Sequence, residues 1–222
     1  MNWTKVFTRQ MDLITPKELN FPILIIGAGG IGSFTTLALA KMGCSNITVV
    51  DFDNVEPHNT PSQLYTSDQI GEYKVEALQK NIRLFTNTSI QILPLKFEDL
   101  GMTEIKTPKV IISAVDSLET RREIWNKIKD NPNWDFYIDA RMGGELIRIF
   151  VVSPMAPYSI KKYTKKLFDL TVKASEEPCT GRSVVYNTFI NAGLIASLVK
   201  KYAKRQEVGL QFTFDLTNML VV

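Results

Sequence analysis

The sequence is defined first by what is scarce in it. Two cysteines among 222 residues, Cys44 and Cys179, are too few for a disulfide framework or a four-thiolate zinc site, and they point to a reducing compartment. Charge of one sign is scarce as well: 26 basic against 23 acidic residues leave a formal +3, which makes no electrostatic case for nucleic acid as the main partner. The basic clusters KKYTKK (161–166) and KKYAKR (200–205) read as solvated helix faces, with docking of an acidic protein as the alternative. No apolar run is long enough to span a membrane. The start, MNWTKVFTRQMDLI, lacks the charged region followed by a continuous apolar stretch that marks a signal peptide. A soluble cytoplasmic protein with no membrane partner is the expectation.

Apolar residues are plentiful. At 45% of the chain they can fill the core of one α/β domain covering residues 1–222. Trp3, Phe7, Met11 and Ile14 recur at helical spacing and predict an amphipathic N-terminal helix ending before Pro16, with Arg9 off its apolar stripe. FPILII (21–26) enters GAGGIG, SFTTLALAKMG continues at helical spacing to a stop at Gly43, and ITVVD (47–51) is a second buried strand. Strand, glycine turn, helix and strand make a βαβ unit with parallel strands. Beyond it, 68–85 reads as a loop entering a helix, 89–97 and 109–116 as strands, 118–130 as a charged amphipathic helix, 158–170 as a helix or loop, and 184–202 as the last long helix. WDFYIDA (134–140) and ELIRIFVVS (145–153) are expected as two strands separated by RMGG, the second an antiparallel edge, with LQFTFDL (210–216) closing the sheet. The expected fold is α/β: a Rossmann-like, mainly parallel sheet flanked by helices and extended by antiparallel strands.

The chemistry concentrates after the first strand. Gly27, Gly29 and Gly32 satisfy G-x-G-x-x-G between a strand and a helix. The first glycine permits a tight turn, the second lets backbone approach a phosphate, the third lets helix meet strand, and the helix N-terminus offers free N–H groups to an anion. Asp51 ends the next strand, 19 positions after Gly32, where a carboxylate can accept both ribose hydroxyls. That spacing alone would suit a dinucleotide dehydrogenase. An NAD site, however, gives no reason for Asp53, Asn59, Gln63 and Lys74 downstream. A nucleoside triphosphate does, because its extra charge calls for amide donors, a lysine and a metal-binding carboxylate beyond the helix terminus.

With those residues in view, the sequence resembles the superfamily of ThiF, MoeB and the ubiquitin-activating enzymes, which adenylate the C-terminal carboxylate of a small β-grasp protein. GAGGIG, with Gly30 inside it, looks like the phosphate loop of that superfamily; DFDNVEPHNTPSQ resembles its D-x-D-x-V-x-x-x-N-x-x-x-Q stretch; IGEYKVEA looks like its G-x-x-K-V segment; AVDSLETR is similar to its T-D-N-x-x-x-R segment. TRQ at 8–10, IDARMGG and the AGLIASLVKK helix fall in the same order. The resemblance implies ATP and Mg²⁺ as cofactors and a ubiquitin-like protein or peptide with a free C-terminus as partner. It implies that Asp51 binds ribose, that Asn59, Gln63 and Lys74 surround base and phosphates, that Asp116 holds Mg²⁺, and that Arg9 reaches the triphosphate of a partner subunit, the N-terminal segment 1–18 then lying in a homodimer interface. Arg121 fits the pattern but equally suits a brace of helix against sheet, and Asp53 equally suits a cap on local backbone N–H groups. Two features depart from the family. Ser62 stands where arginine usually precedes the glutamine, so one phosphate contact is missing or supplied by another group such as Arg141, and the paired CxxC zinc motifs are absent.

In adenylation the nucleophile is the substrate's own carboxylate, ionised at neutral pH, so positioning and charge neutralisation replace a catalytic base. The lone histidine, His58, sits in the polar loop and reads as structural. Cys179 lies in the polar connection before the last helix, where related enzymes place a thioester-forming cysteine, with Arg182 near enough in sequence to lower its pKa; a plain loop thiol is the alternative. Cys44 reads as packing. Besides an active adenylating enzyme, a catalytically silent subunit of a heterodimeric activating enzyme and an NAD-dependent oxidoreductase stay open at this stage.

Overall fold

A computed structural model describes residues 3–101, 108–131, 133–169 and 184–221. Five apolar segments, Ile23–Ile26 (β1), Ile47–Val50 (β2), Gln91–Leu93 (β3), Val110–Ser113 (β4) and Phe136–Gly143 (β5), pair in parallel in the order β3-β2-β1-β4-β5. Leu146–Val152 (β6), Gln211–Asp215 (β7) and Leu220–Val221 (β8) extend the sheet antiparallel from β5. The helices are Trp3–Val6 (α1), Gly30–Met42 (α2), Lys74–Thr86 (α3), Leu118–Ile128 (α4), Pro157–Leu167 (α5) and Val185–Ala203 (α6).

Strands β1 and β4 are buried at every position because helices cover both faces of the sheet, as parallel strands require. Alternate side chains sort into two layers. Ile23, Ile25, Val49, Ile112 and Ile138 pack with Leu39 of α2, Val75 and Leu78 of α3 and Ile195 of α6. Leu24, Ile26, Val50, Ile111 and Tyr137 pack with Ile124 and Trp125 of α4 and with Tyr163 and Leu167 of α5. The chain runs from β1 outward through β2 and β3, then returns to β4 on the other side of β1. That reversal opens a crevice beyond the carboxyl ends of β1 and β4, the place where open α/β sheets bind ligands.

Several expectations are corrected. The N-terminal apolar stripe is not one helix: α1 stops at Val6 and a 3₁₀ turn follows at Thr8–Gln10. The segment instead wraps the end of α2, where the Gln10 amide donates to the Met42 carbonyl at 2.7 Å, one of the acceptors a helix end leaves unpaired. The RMGG stretch is not a loop, because β5 runs through Arg141, Met142 and Gly143 and turns only at Gly144, whose φ is +58°. Strand β6 is not an edge; it lies between β5 and β7, with Ile149 through Val152 buried. β3 stops at Leu93, ahead of Pro94, which has no N–H to offer a ladder, and β4 stops at Ser113, leaving 114–117 as a loop.

Candidate functional site

One lip of the crevice is the turn from β1 into α2. Gly27 sits at φ +97°, and a Cβ there would stand 2.7 Å from the Ala114 carbonyl oxygen; a Cβ on Gly32 would fall 1.8 Å from the Gly27 oxygen. Both positions therefore demand glycine, the first for conformation and contact, the second for the approach of helix to strand. Gly30 is tight against Thr188 of α6 and the Ser62 carbonyl, whereas the space beside Gly29 is open within 4 Å.

Asp51 closes onto this turn. Its Oδ2 accepts from the Ala28 N–H at 2.6 Å and its Oδ1 from the Asp53 N–H at 2.8 Å. Burial pushes its carboxyl above the usual range, and the Ala28 N–H and the Lys74 charge offset part of that rise. Each oxygen keeps a second lone-pair direction for a hydroxyl donor. Lys74 is buried, and its Nζ donates to Asp53 Oδ2 at 2.8 Å while its backbone N–H donates to the Asp53 carbonyl, also at 2.8 Å. Glycine turn, Asp51, Asp53 and Lys74 are thus one connected set.

The polar loop after β2 is more structural than the sequence suggested. Asn59 is buried and its Oδ1 caps the Glu56 N–H at 2.9 Å, closing a 3₁₀ turn over Pro57–Asn59. His58 is exposed beside Glu56 at 3.2 Å. Gln63 is half-buried, and its Oε1 is a buried acceptor with no hydrogen-bond partner among the described residues, so it keeps capacity for a ligand. Sequence reasoning missed Tyr65 and Ser33. Tyr65 Oη donates to the Ala28 carbonyl at 2.6 Å, and Ser33 Oγ of α2 accepts from the Leu64 N–H at 3.1 Å.

The other lip is the β4–α4 loop. Asp116 is exposed there, one residue before Ser117, whose Oγ caps α4 by accepting from the Thr120 N–H at 3.3 Å. Arg121 acts as the brace: its guanidinium donates to the Val115 carbonyl, to Ala140 O at 2.9 Å and to Asp139. Asp139 is wholly buried and also accepts from Arg141 Nη2 at 2.7 Å and Tyr163 Oη at 2.7 Å. Burial opposes its ionisation, but Arg121, then Arg141 and Tyr163, hold its carboxyl below the usual range. Arg141 is therefore turned onto Asp139 and over the Phe150 ring, 4.8 Å from its centroid, on the α4–α5 face. That commitment argues against its standing in for the arginine that Ser62 replaces.

One candidate, Arg9, is not brought to the crevice. Arg9 is exposed on the 3₁₀ turn that Gln10 anchors to the far end of α2, and 13 residues of helix put about 20 Å between that end and the glycine turn. Cys179 and Arg182 lie outside the described residues. Cys44 is buried, and burial pushes its thiol up to about 12, as expected of packing. Among the described residues no group of three or more His, Cys, Asp or Glu gathers to hold a metal, and no helix is long and apolar enough to cross a membrane.

Fold and site together define a Rossmann-like α/β protein with a glycine turn at its topological switch point. Residues 9–132 match the ThiF family, and the chain belongs to that family. It is 31% identical over 117 residues to ubiquitin-like modifier-activating enzyme 5 of Aedes aegypti, covering 46% of this chain and 29% of that protein. It is 29% identical over 134 residues to the sulfur carrier protein adenylyltransferase of Thermus thermophilus, covering 54% and 49%. The matches thus span about half or less of these curated relatives. Among solved structures, E. coli MccB with ATP superposes at a TM-score of 0.72 and 18% identity, covering 93% of this chain and 64% of that one. PaaA superposes at 0.73 and 18%, covering 99% and 72%. At that identity the likeness concerns the fold.

Proposed function

We propose that this chain is an ATP-dependent adenylyltransferase, one adenylation domain over residues 1–222, that activates the C-terminal carboxylate of a small ubiquitin-like or ThiS-like protein or of a peptide. The observation that carries the reading is the connected set at the crevice, in which Asp51 links the glycine turn at Ala28 to the Asp53–Lys74 ion pair. A dinucleotide site needs the acid and has no use for the lysine. Membership in the ThiF family and relatives named as adenylyltransferases and modifier-activating enzymes support it, as does a neighbouring fold solved with ATP and with MccA.

In the reaction the substrate carboxylate attacks the α-phosphorus of ATP. An O–P bond forms to give the acyl-adenylate, the bond to the bridging oxygen breaks, and pyrophosphate leaves with the electron pair. The N-terminal N–H groups of α2 would meet the phosphates, Asp51 would receive the ribose hydroxyls, and Lys74 and the Gln63 amide would serve the phosphates and base. The single exposed carboxylate of Asp116 suits Mg²⁺, which takes one or two carboxylates together with substrate phosphates and, when bound, neutralises their charge. Arg9 is remote within one chain, so the role proposed for it at the triphosphate is one toward a second copy, in a homodimer. A cytoplasmic enzyme fits the reducing compartment implied by two cysteines.

ATP–pyrophosphate exchange with Mg²⁺ and a panel of β-grasp proteins ending in Gly-Gly tests this. Exchange that needs one candidate and disappears in Asp116→Ala is expected. In mixed dimers, Arg9→Ala and Asp116→Ala proteins should restore exchange, and failure to do so would remove Arg9 from the shared site. Cys179→Ser should leave exchange intact and abolish any thiol-labile adduct with the substrate. Ser62, in place of the family's arginine with Arg141 committed elsewhere, favours a second reading, a silent subunit that needs an active partner. Tight ATP binding with no exchange across the panel would select it.

A further inference from the structure

Ala28 is gripped from both sides. Its N–H goes to Asp51 at 2.6 Å and its carbonyl receives the Tyr65 hydroxyl at 2.6 Å. Within a trans peptide the carbonyl and the next residue's N–H point in opposite directions, and the chain has no cis bonds among its described residues. Holding the Ala28 oxygen toward Tyr65 therefore aims the Gly29 N–H away from it, on the residue that caps the start of α2 and on which a Cβ would meet nothing within 4 Å. We propose that Tyr65 is a positioning residue for the phosphate loop, fixing the Ala28–Gly29 peptide so that its N–H meets the nucleotide's phosphates.

Three further observations carry this assignment, which rests on the nucleotide reading above. The first is that Tyr65 is held firmly enough to act as a reference point. It is 6% exposed; the preceding Leu64 donates its N–H to Ser33 at 3.1 Å, and the Leu64 carbonyl accepts from Asn81 of α3 at 2.8 Å. Asn81 is itself paired with Gln69 at 2.8 Å, so the grip runs from α3 through the loop to α2. Second, the hydroxyl stays a donor at any physiological pH, because burial, and then the charges of Asp51 and Asp53, raise its pKa well above the ordinary value. Third, the hydroxyl is not needed to fill space. A phenylalanine would fill the same volume, so what the oxygen adds is direction.

A direction on one N–H predicts an effect selective for phosphate. Equilibrium binding of ATP and of adenosine to the full chain with Mg²⁺ is the test, comparing wild type with Tyr65→Phe and recording the unliganded melting temperature. ATP affinity should fall about tenfold, the worth of one hydrogen bond to a charged group, while adenosine affinity changes less than about twofold. 3-Fluorotyrosine at the same position keeps the ring and strengthens the donor, so its ATP affinity should equal or exceed that of wild type. Equal ATP affinity in Tyr65→Phe, parallel losses for ATP and adenosine, or a fluorotyrosine protein as weak as Tyr65→Phe would overturn the assignment. Wild-type protein that binds neither ligand would overturn the nucleotide reading itself.

Discussion

The two lips of the crevice are held in place by different physics. The glycine turn is fixed by short bonds to backbone: Asp51 and Tyr65 on Ala28, and Ser33 on Leu64. The β4–α4 loop is fixed by charge, with Arg121, Asp139 and Arg141 locked together almost without solvent. A bond to backbone contributes about 1 kcal/mol and acts on one peptide. A buried ionic set is different. Its net value is modest, yet removing one member strands a charge where water cannot reach it. The glycine lip is therefore tuned locally, whereas the lip that presents Asp116 is tied to the stability of the whole sheet through β5 and α5.

That contrast sets the scale of the expected effects. Asp139→Ala leaves two buried guanidinium groups without their carboxylate and should cost about 3–5 kcal/mol in urea unfolding. Ser33→Ala removes the acceptor of the Leu64 N–H and should cost about 1 kcal/mol by the same assay; a loss as large as that of Asp139→Ala would break the comparison. Asp116→Ala, at an exposed position, should change stability by less than about 0.5 kcal/mol while pyrophosphate exchange falls at least about a hundredfold. A smaller effect sharpens the acid limb. The hydrogen bond from Lys204, then those from Thr15, hold the half-buried Glu18 carboxyl at about 2 against an ordinary 4.5. Its contribution is therefore complete above pH 4.5 and lost as pH falls toward 2. Glu18→Gln should flatten the pH dependence of the melting temperature across that window and leave the steeper loss due to Asp139, whose carboxyl is also held low.

Much of the glycine lip was readable in advance. The run from FPILII through GAGGIG to ITVVD carries its own period, its own glycine spacing and its own acid, all within about 30 residues of sequence, so local sterics and the helix terminus are enough to predict a turn and an anion site. Asn59 shows what the pattern does not convey: besides the binding role expected of it, its side-chain oxygen caps the turn it belongs to. Arg121 left two roles open in sequence, and the structure chose the brace. Tyr65 gave no signal at all, since the atom it holds is 37 residues away.

The antiparallel half was the least legible. RMGG carries two glycines and reads as a break, but Arg141 has a buried carboxylate and Met142 a buried apolar neighbourhood to meet, so β5 continues until Gly144. β6 became interior only because β7, some sixty residues later in the chain, pairs with its outer side. What the sequence determined by itself was the local chemistry: alternation, glycine geometry, a strand-end acid and the charge available for a triphosphate. What only the tertiary structure decided was which polar groups are already spent on the fold and which remain for a ligand. The physical reason is that a hydrogen-bond partner is assigned by the packing of layers, where residues far apart in sequence are brought within 3 Å.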